Sequence, residues 1–459
     1  MEFIGRVEEQ KAINALLAKD GYQGCVIYGR RRMGKTELVK HCLLGKGRPF
    51  IMYQCKESSE RDNAALFTEL IKKELNIQYI SFDGFMDAVN FLFDYAKDKE
   101  IYLVLDEYPY LRSVVEGCDS KLQEIIDNHA SSSKLKLFLL GSSISTMEDV
   151  LDHRSPLYMR FTSSILLRQM DYYDSASFYP RYDEVEKIRA YAAFGGVPFY
   201  NAQIDDRRSV KENIIRLLSG RFSGFQDFLE TYLKEELRKV NNANIVFEAI
   251  ALGAYHYSDI LSKAHIESSP ILNAILQKLV KMDLIEYVAP INDKSSKKRS
   301  GYRISDTCVR FYYKFIYRNS SAHAVLDDSR FYDHFIAKGF DSIVVPGVFE
   351  SICKQYLIRE NRKGSFDPFF IDIGSYWYDS PSEKRNGQFD VIGKRDDGYV
   401  FFECKFTESP ITDEVVKEEM AQVEKTTLKP AGYGFFSKSG FSISDKDGYM
   451  LFDLKDLYK

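Results

Sequence analysis

The sequence of 459 residues has few of the features that mark secreted, zinc-binding or membrane-spanning chains. Its seven cysteines are an odd number, and no two have the Cys-x-x-Cys spacing of a zinc site or a redox centre. We therefore expect them to be reduced and mostly buried. No run of about 18 apolar residues occurs, and residues 1–6 do not open a basic segment followed by an apolar one. These absences predict a cytoplasmic protein.

Neither sign of charge dominates the chain. It has 63 Lys and Arg against 67 Asp and Glu, a net charge of -4, so a surface for nucleic acid must be a local patch. With 45% hydrophobic and 28% charged residues, the composition is typical of a soluble globular protein and excludes a mainly disordered or collagen-like chain. At about 150 residues per domain, the length suggests about three domains.

Short apolar runs alternate with polar, helix-length stretches between residues 24 and 170. The runs are Cys25–Tyr28, Phe50–Tyr53, Ile101–Leu105, Leu137–Leu140 and Ser164–Leu167. Runs that are apolar on both faces predict a parallel sheet covered by helices. From about 172 to 250 a helical period replaces the strand signal, and we interpret this segment as a helical lid.

Residues 244–318 have the pattern of a winged helix. A capped helix start at Ser269 is followed by two short strands, Ile285–Val288 and Gly301–Ile304, separated by a polar basic loop at 293–299. The last part, from about 330, opens with a helix through Phe349–Ile352 and continues as strands broken by turns.

A complete GxxxxGK[ST] loop follows the first strand and precedes a helix, which is the context that this motif requires. Its residues are Gly29, Arg30, Arg31, Arg32, Met33, Gly34, Lys35 and Thr36. Backbone N–H groups and the helix N-terminus favour a polyphosphate there. We expect Lys35 to reach the β- and γ-phosphates and Thr36 to bind Mg²⁺; the alternative is a chance match in a glycine-rich turn.

Polar residues follow two further strands of the predicted sheet. Asp106 and Glu107 end the strand at 101–105, where open α/β folds keep their ligands. Asp106 would hold Mg²⁺ and Glu107 would orient or deprotonate the attacking water, unless both lie in a solvated acidic turn. Ser142 or Ser143, after the strand at 137–140, would sense the γ-phosphate or instead cap the next helix. No Asn-Lys-x-Asp box follows, which favours ATP over GTP.

These motifs resemble the AAA-like ATPases of the STAND group, in particular the archaeal and bacterial family that often carries a C-terminal domain related to restriction endonucleases (DUF234-like). Phe3–Arg6 with Glu8 is similar to the family's N-terminal box, which borders the adenine. Residues 155–160 are similar to the segment with the arginine finger, which implies that role for Arg160 in cis or from a neighbouring subunit. Residues 195–198 are similar to the lid motif and imply that Pro198 contacts the nucleotide.

From the residues alone, two of these assignments have ordinary alternatives. Arg160 could form a surface salt bridge, and the Gly195–Pro198 segment could be a turn that ends a helix.

A predicted hairpin near the C-terminus places charges on one face. Its turn is Asp396-Asp397-Gly398, and the alternation along 399–405 projects Glu403 and Lys405 from the same side. Asp390 on the adjoining strand could share a divalent cation with Glu403 while Lys405 supports a water or phosphate charge. Hairpin surface charges are the alternative.

The order Glu350, Asp390, Glu403-Cys404-Lys405 and Gln422 is similar to the PD-(D/E)xK nuclease superfamily. The resemblance implies a metal held by Glu350, Asp390 and Glu403, with Lys405 catalytic, although such domains also bind nucleic acid without cutting it. The charges of Lys294 to Arg299 could contact DNA or form a solvated loop, and Trp377 with Tyr376 and Tyr378 could stack on bases or lie in the core.

The sequence therefore predicts an α/β protein of four parts: a P-loop ATPase core (1–171), a helical lid (172–243), a winged helix (244–325) and a PD-(D/E)xK-like α/β domain (326–459). It is expected to use ATP with Mg²⁺, and Mg²⁺ or Mn²⁺ at the second site, and to act on DNA. Self-association would supply Arg160 in trans. The rival hypotheses are a slow nucleotide-dependent switch or scaffold whose C-terminal domain only binds DNA or protein, and a signalling ATPase independent of DNA.

Overall fold

The structure is a computed structural model that describes residues 3–238, 240–294, 299–380 and 385–459. Its chain divides into two compact units, Met1–Gln169 and Met170–Lys459. Each unit is described by itself below.

The first unit is built on a parallel sheet with the strand order β2-β3-β4-β1-β5. The strands are β1 (Gln23–Tyr28), β2 (Phe50–Gln54), β3 (Ile101–Asp106), β4 (Leu135–Gly141) and β5 (Ser163–Leu166). All four neighbouring pairs run parallel, so the predicted sheet is confirmed. Every residue of β3 and β4 is buried, which explains why these runs are apolar on both faces.

Helices connect these strands. They are α1 (Val7–Leu17), α2 (Lys35–Leu43), α3 (Glu60–Leu75), α4 (Phe85–Tyr95), α5 (Tyr108–Val114), α6 (Cys118–His129) and α7 (Ile144–Leu151). One core forms between helices and sheet, where Phe67 and Phe85 stack with ring centroids 4.6 Å apart and Tyr53 packs beside them. This packed core holds the strands in place, and their carboxyl ends form the edge of the sheet where ligands bind in open α/β folds.

The second unit begins with helices, as the period over 172–250 predicted. They are α8 (Tyr172–Ala176), α9 (Glu184–Phe194), α10 (Pro198–Asn201), α11 (Val210–Ile214), continued by a π-helical turn at Ile215–Ser219, and α12 (Gly224–Leu237). Asp171, Asp183 and Ser209 cap α8, α9 and α11, since each side chain accepts a bond from a backbone N–H of the first turn.

Three helices and a hairpin follow. They are α13 (Ala243–Ala251), α14 (Tyr257–Lys263), α15 (Ser269–Lys281), β6 (Ile285–Val288) and β7 (Gly301–Ile304). β6 and β7 are antiparallel, with Ile285 opposite Ile304. Both predicted strands are confirmed. The helix α15 begins at Ser269 as predicted, but its N-cap residue is Ser268, whose side chain makes no capping hydrogen bond. Residues 295–298 of the connecting basic loop lie outside the described part of the chain.

A helical segment leads to the last part of the chain. It comprises α16 (Thr307–Phe311), α17 (Ser320–Val325), α18 (Asp328–Phe331) and α19 (Ala337–Gly339), with π-helical turns at Tyr312–Ile316, Tyr332–Ile336 and Phe340–Val344 and a 3₁₀ turn at Tyr317–Asn319. The long helix α20 (Val345–Lys363) continues from it and packs against the C-terminal sheet.

The C-terminal sheet has the order β14-β12-β10-β9-β8. Its elements are β8 (Asp372–Ser380), β9 (Arg385–Lys394), β10 (Tyr399–Lys405), β12 (Pro430–Ser437) and β14 (Tyr449–Asp453), with the short pair β11 (Ile411–Thr412) and β13 (Phe441–Ser442), the helix α21 (Asp413–Val423) and a 3₁₀ turn at Asp456–Tyr458. β8, β9 and β10 are antiparallel neighbours, whereas β10, β12 and β14 are parallel. The predicted hairpin is confirmed as β9 and β10.

All seven cysteines are buried and unpaired, as expected. Among the described residues, no helix combines the length and apolar character needed to cross a membrane.

Candidate functional site

The phosphate loop lies between the end of β1 and the start of α2. Gly29 has φ of +148°, and a Cβ there would come within 2.3 Å of the carbonyl oxygen of Leu167, so only glycine fits. Gly34, with φ of +84°, is the residue before α2 and directs the chain into the helix. The backbone conformation therefore explains why the motif has glycine at positions 29 and 34.

The polar side chains of the phosphate loop lie beside the end of β3. Lys35 is buried, and its Nζ donates to the carbonyl oxygens of Gly29 at 2.8 Å and Arg30 at 3.0 Å. Thr36 Oγ1 donates to Asp106 Oδ2 at 2.8 Å. Burial raises the pKa of Asp106, while the Thr36 bond opposes that rise. The hydroxyl and the carboxylate predicted to share Mg²⁺ therefore lie side by side.

Glu107 sits in an unusual backbone conformation directly after β3. Its φ and ψ of 54° and 47° are left-handed, which is uncommon for a residue other than glycine. Its Oε2 accepts bonds from Ser142 Oγ at 2.8 Å and Ser142 N at 3.2 Å. Ser143 instead bonds Thr146 Oγ1 at 2.8 Å and precedes α7 without a side-chain cap. Of the two serines, Ser142 is the one at the Glu107 carboxylate.

The other residues of the loop divide into buried and exposed sets. Arg30 and Met33 are buried, whereas Arg31 and Arg32 are exposed. Arg31 donates to Tyr110 Oη at 3.3 Å. Of the three arginines of the loop, only Arg31 and Arg32 therefore present their side chains to solvent.

The N-terminal box contacts the loop directly. Arg6 is buried and donates through one terminal nitrogen to the carbonyl oxygens of Met33 at 3.3 Å and Arg168 at 2.6 Å. Phe3 stacks on His41 of α2, with centroids 4.4 Å apart. The box therefore ties the start of the chain to the phosphate loop.

Arg160 lies at the opposite edge of the sheet from the phosphate loop. It immediately precedes β5, which runs parallel to β1 with Ser163 beside Cys25, and Tyr22 Oη donates to its carbonyl oxygen at 3.3 Å. Its guanidinium forms a bidentate pair with Asp127, at 3.0 and 2.9 Å. The amino ends of parallel strands face away from the nucleotide edge, so this position does not support a role for Arg160 at the phosphate loop of its own chain. The arginine-finger role, in cis or in trans, stays a prediction.

The Gly195–Pro198 turn belongs to the second unit. Asn201 Nδ2 donates to the carbonyl oxygen of Gly195 at 3.1 Å, and a Cβ on Gly196 would come within 1.9 Å of the Met170 carbonyl oxygen. Pro198 opens α10 at its first position. Its predicted contact with the nucleotide stays a prediction.

A second group of acidic side chains gathers at the C-terminal sheet. Asp390 on β9 accepts a bond from Cys404 N of β10 at 3.1 Å, which places it beside the Glu403–Lys405 segment. Lys405 forms a close ion pair with Glu403. Glu350 of α20 lines one cavity with Asp390 and lies within electrostatic reach of Glu403 and Lys405. The structure thus brings together four of the five residues in the predicted order, Gln422 being the fifth.

Sequence reasoning missed one member, Glu419 on α21. It is 5% exposed and lies one turn before the expected Gln422, whose amide donates to the Gln388 carbonyl oxygen at 2.8 Å. Val416, Glu419 and Val423 form the buried face of α21, so a carboxylate stands where the helical period calls for an apolar residue. This charged residue on the apolar face of the helix was the feature of the sequence that could have identified Glu419 as a site residue.

Mutual repulsion and burial control the charges of this cluster. Burial, and then the charge of Glu403, raises the pKa of Glu350 to about 7. The same two causes raise the pKa values of Asp390 and Glu419 to about 8 each. Burial works against the ammonium of Lys405, but its bond to Glu403 outweighs this and raises the pKa. The raised pKa values mean that several of these carboxyl groups hold protons near neutral pH, and a bound cation would take the place of those protons.

The donor set fits a hard divalent cation, which takes carboxylate oxygens. Glu419 Oε1 is buried without a hydrogen-bond partner, so it has an unused acceptor. Over the described ranges, however, no group of three His, Cys, Asp or Glu side chains is arranged to hold a metal as it stands. Asp390 is engaged by Cys404 N and Glu403 by Lys405. Binding would require these side chains to reorient.

The basic loop of the hairpin is described only at its ends. Lys294 forms an ion pair of 2.5 Å with Asp372 of β8. Ser295 to Lys298, part of the predicted DNA-contacting loop, lie outside the described residues.

The parallel sheet and the joined residues at its carboxyl edge define the first unit as a P-loop ATPase domain. Residues 3–204 match a family described as an ATPase domain predominantly from Archaea, and residues 312–423 match a family of archaeal and bacterial proteins of unknown function. Its first part is therefore an archaeal P-loop ATPase domain, and the domain of the second family follows in the C-terminal part of the chain. The predicted resemblance is confirmed.

Two similar proteins cover most of the chain. An uncharacterized protein of Methanocaldococcus jannaschii is 29% identical over 468 residues, with 99% of each chain covered. The solved Walker-type ATPase of Pyrococcus abyssi is 20% identical, covers 68% of this chain and 96% of its own, and has a TM-score of 0.52. The second likeness supports the fold alone.

Proposed function

We propose that the protein is an ATP-hydrolysing enzyme that acts on DNA through a winged helix and a metal-dependent, nuclease-like C-terminal domain. The observation that carries the ATPase part is the bond of Thr36 to Asp106, which joins the phosphate loop to the acidic end of β3. For the C-terminal part it is the convergence of Asp390, Glu403 and Lys405 on neighbouring strands.

In the ATPase site, each residue has a separate task. Lys35 neutralises phosphate charge from inside the loop, where its ammonium is already held by carbonyl oxygens. Thr36 and Asp106 would hold Mg²⁺, which supplies charge neutralisation between the phosphates when bound. Glu107 orients the attacking water and accepts its proton. Ser142 positions Glu107 through two hydrogen bonds.

Two further segments, which lie between the ATPase core and the C-terminal domain in the sequence, are assigned to contacts with DNA and with the nucleotide. The three helices α13 to α15, followed by the antiparallel hairpin β6–β7, support the proposal that residues 244–325 are a winged helix. The helices of 172–243, with Pro198, would act as a lid on the nucleotide. The proposal places the domain boundaries after residues 171, 243 and 325, so that the lid spans 172–243 and the winged helix 244–325.

At the C-terminal site, Asp390, Glu403 and Glu350 would hold Mg²⁺ or Mn²⁺, and we add Glu419 to this set. The metal would supply charge for the scissile phosphate and an activated water. Lys405 stabilises the charge that develops on the phosphate and must release Glu403 to do so. The same proposal assigns residues 326–459 to a PD-(D/E)xK-like domain.

The test is incubation of the purified full chain with supercoiled DNA, ATP and Mn²⁺, with product DNA and released phosphate measured on the same samples. The parent is expected to nick DNA and hydrolyse ATP. Asp390→Ala and Lys405→Ala should lose cleavage and keep the ATPase. Equal nicking by both variants would assign the cleavage to a contaminant.

One observation favours the rival, in which the C-terminal domain binds DNA or protein under nucleotide control without cutting. Lys405 and Glu403 already satisfy each other as an ion pair, as in a purely structural site. A parent that never cuts any DNA form with either metal, yet retards DNA in a gel, would establish this rival. A parent that also fails to retard DNA at low salt would indicate a DNA-independent ATPase.

A further inference from the structure

A cavity of about 650 Å³ lies within the second unit, between the β6–β7 hairpin region, α20 and the β8–β9 strands. Glu350 and Asp390 of the acidic cluster form part of its wall, and Arg303, Lys354, Tyr255 and Trp377 form other parts. The cavity therefore adjoins the proposed metal site directly. Its volume is in the range of pockets that hold small ligands, and a base-paired duplex does not fit.

Positive charge stands close to the acidic end of this cavity. Lys354 follows Glu350 by four residues on α20, so the two lie on one face about one turn apart. Within the described chain, Lys354 has no hydrogen bond or ion pair. Burial, and then the charge of Arg303, lowers the pKa of Lys354, so the two cations are within electrostatic reach of each other. Arg303 Nε already pairs with Glu286 at 2.6 Å, so a phosphate placed here would gain Lys354 as a new partner and would share Arg303 with that carboxylate.

Aromatic faces line the same cavity. Tyr376 belongs to the core, but its neighbour Trp377 is half-buried and lines the cavity. Trp377 Nε1 donates to the Arg299 carbonyl oxygen at 2.6 Å, which fixes the indole plane. Tyr255, also half-buried, stands at another part of the wall. Fixed aromatic faces beside cations are the combination that binds stacked bases together with their phosphates.

We propose that this cavity receives an unpaired stretch of DNA, with bases on Trp377 and Tyr255 and phosphates on Arg303 and Lys354, and so delivers a single strand to the acidic cluster. The proposal rests on the proposed nuclease-like function and deepens it, since it names the substrate class. It also assigns Lys354 and Trp377 as binding residues, which neither the motif nor the family match identified.

The chain offers a direct probe, because Trp377 is its only tryptophan. We would titrate the full-length protein with oligo-dT, with a blunt duplex of the same length, and with inorganic phosphate, all in EDTA so that nothing is cut. Oligo-dT should quench the tryptophan fluorescence, and its dissociation constant from this titration should be at least about tenfold lower than that of the duplex. Equal quenching by the duplex would overturn the single-strand assignment.

The variants are Lys354→Gln and, as the matched control on the same helix, Lys363→Gln, whose ammonium pairs with Glu360 outside the cavity. One lost charged contact is expected to weaken oligo-dT binding about tenfold for Lys354→Gln, and to reduce the salt dependence by about one phosphate contact. Lys363→Gln should match the parent. Equal affinities for the two variants, with equal melting temperatures, would overturn the role of Lys354.

Failure of this inference is distinguishable from failure of the proposed function. Metal-dependent cutting without fluorescence quenching by oligo-dT would leave the nuclease assignment in place and remove the cavity as its substrate site. If quenching depends on Lys354 but the protein never cuts DNA, the cavity is supported as a single-strand binding site and the nuclease assignment is rejected.

Discussion

Ser142 donates two hydrogen bonds to the carboxylate of Glu107, from Oγ at 2.8 Å and from its backbone N–H at 3.2 Å. The bonds join the ends of β3 and β4 at the nucleotide edge of the sheet. A carboxylate held at both its backbone and its side chain is preorganised to orient water, since it loses no freedom during the reaction.

This relationship predicts different effects for the two residues. Glu107→Gln should retain ATP but lower turnover by about 10²-fold or more, because the amide cannot accept the water proton. Ser142→Ala should lower kcat by about tenfold, the equivalent of one lost hydrogen bond, with little change in KM. Steady-state kinetics measure both. Ser143→Ala is the matched control, because Ser143 bonds Thr146 instead, and an equal loss in that variant would remove the positioning role from Ser142.

A second prediction concerns nucleotide binding. Lys35→Ala should abolish ATP binding or nearly so, since the phosphates lose their main side-chain cation. Calorimetric titration with ATP measures the effect, and thermal unfolding checks that the loop still folds without the bonds to Gly29 and Arg30. Lys40→Ala removes an exposed lysine from the same helix and should bind ATP like the parent. Unchanged affinity in Lys35→Ala would contradict the phosphate-loop assignment.

The first sheet was predictable because its strands are buried on both faces, so their composition alone marks them. The place of Arg160 could also be read from the sequence. A chain that leaves a parallel strand must return to the amino edge before the next strand begins, and Arg160 stands only three residues before β5.

The carboxylate cluster was predictable in part. Alternation along β10 correctly paired Glu403 with Lys405, since a strand period is local. Glu419 was missed because its contribution depends on how α21 packs on the sheet, and no local period reports that. The cavity joins Tyr255 to Trp377 across more than a hundred residues, and only tertiary packing creates such a site.

A third prediction tests whether Arg160 acts in trans. Arg160→Ala should lower turnover by at least about 10²-fold without weakening ATP binding. Asp127→Ala, which breaks the same ion pair from its other side, should keep turnover, because it leaves the guanidinium available. If the pair is only structural, both variants should lose the same small stability, under about 1 kcal/mol, and neither should lose activity.

Mixing provides the decisive arm of that test. Lys35→Ala supplies Arg160 but no nucleotide site, and Arg160→Ala supplies the reverse. An equimolar mixture should hydrolyse ATP faster than either variant alone if a neighbour donates the arginine. A mixture no faster than the sum of its parts would leave Arg160 as a surface residue.

The last prediction concerns Glu419 and the cation that its cluster favours. Without metal, the buried carboxylate of Glu419 is repelled by Glu403 and destabilises the fold above its pKa of about 8, so Glu419→Gln should raise the melting temperature of the metal-free protein at such a pH. With Mn²⁺ the order should reverse, because the parent gains stability from binding and the variant has lost a donor. Thermal unfolding with and without Mn²⁺, in an Asp106→Asn background that disables the nucleotide site, isolates this effect. Glu418→Gln, an exposed neighbour on α21, should resemble the parent in both conditions. A Mn²⁺-induced shift of the same size in all three proteins would show that Glu419 is not part of a metal site.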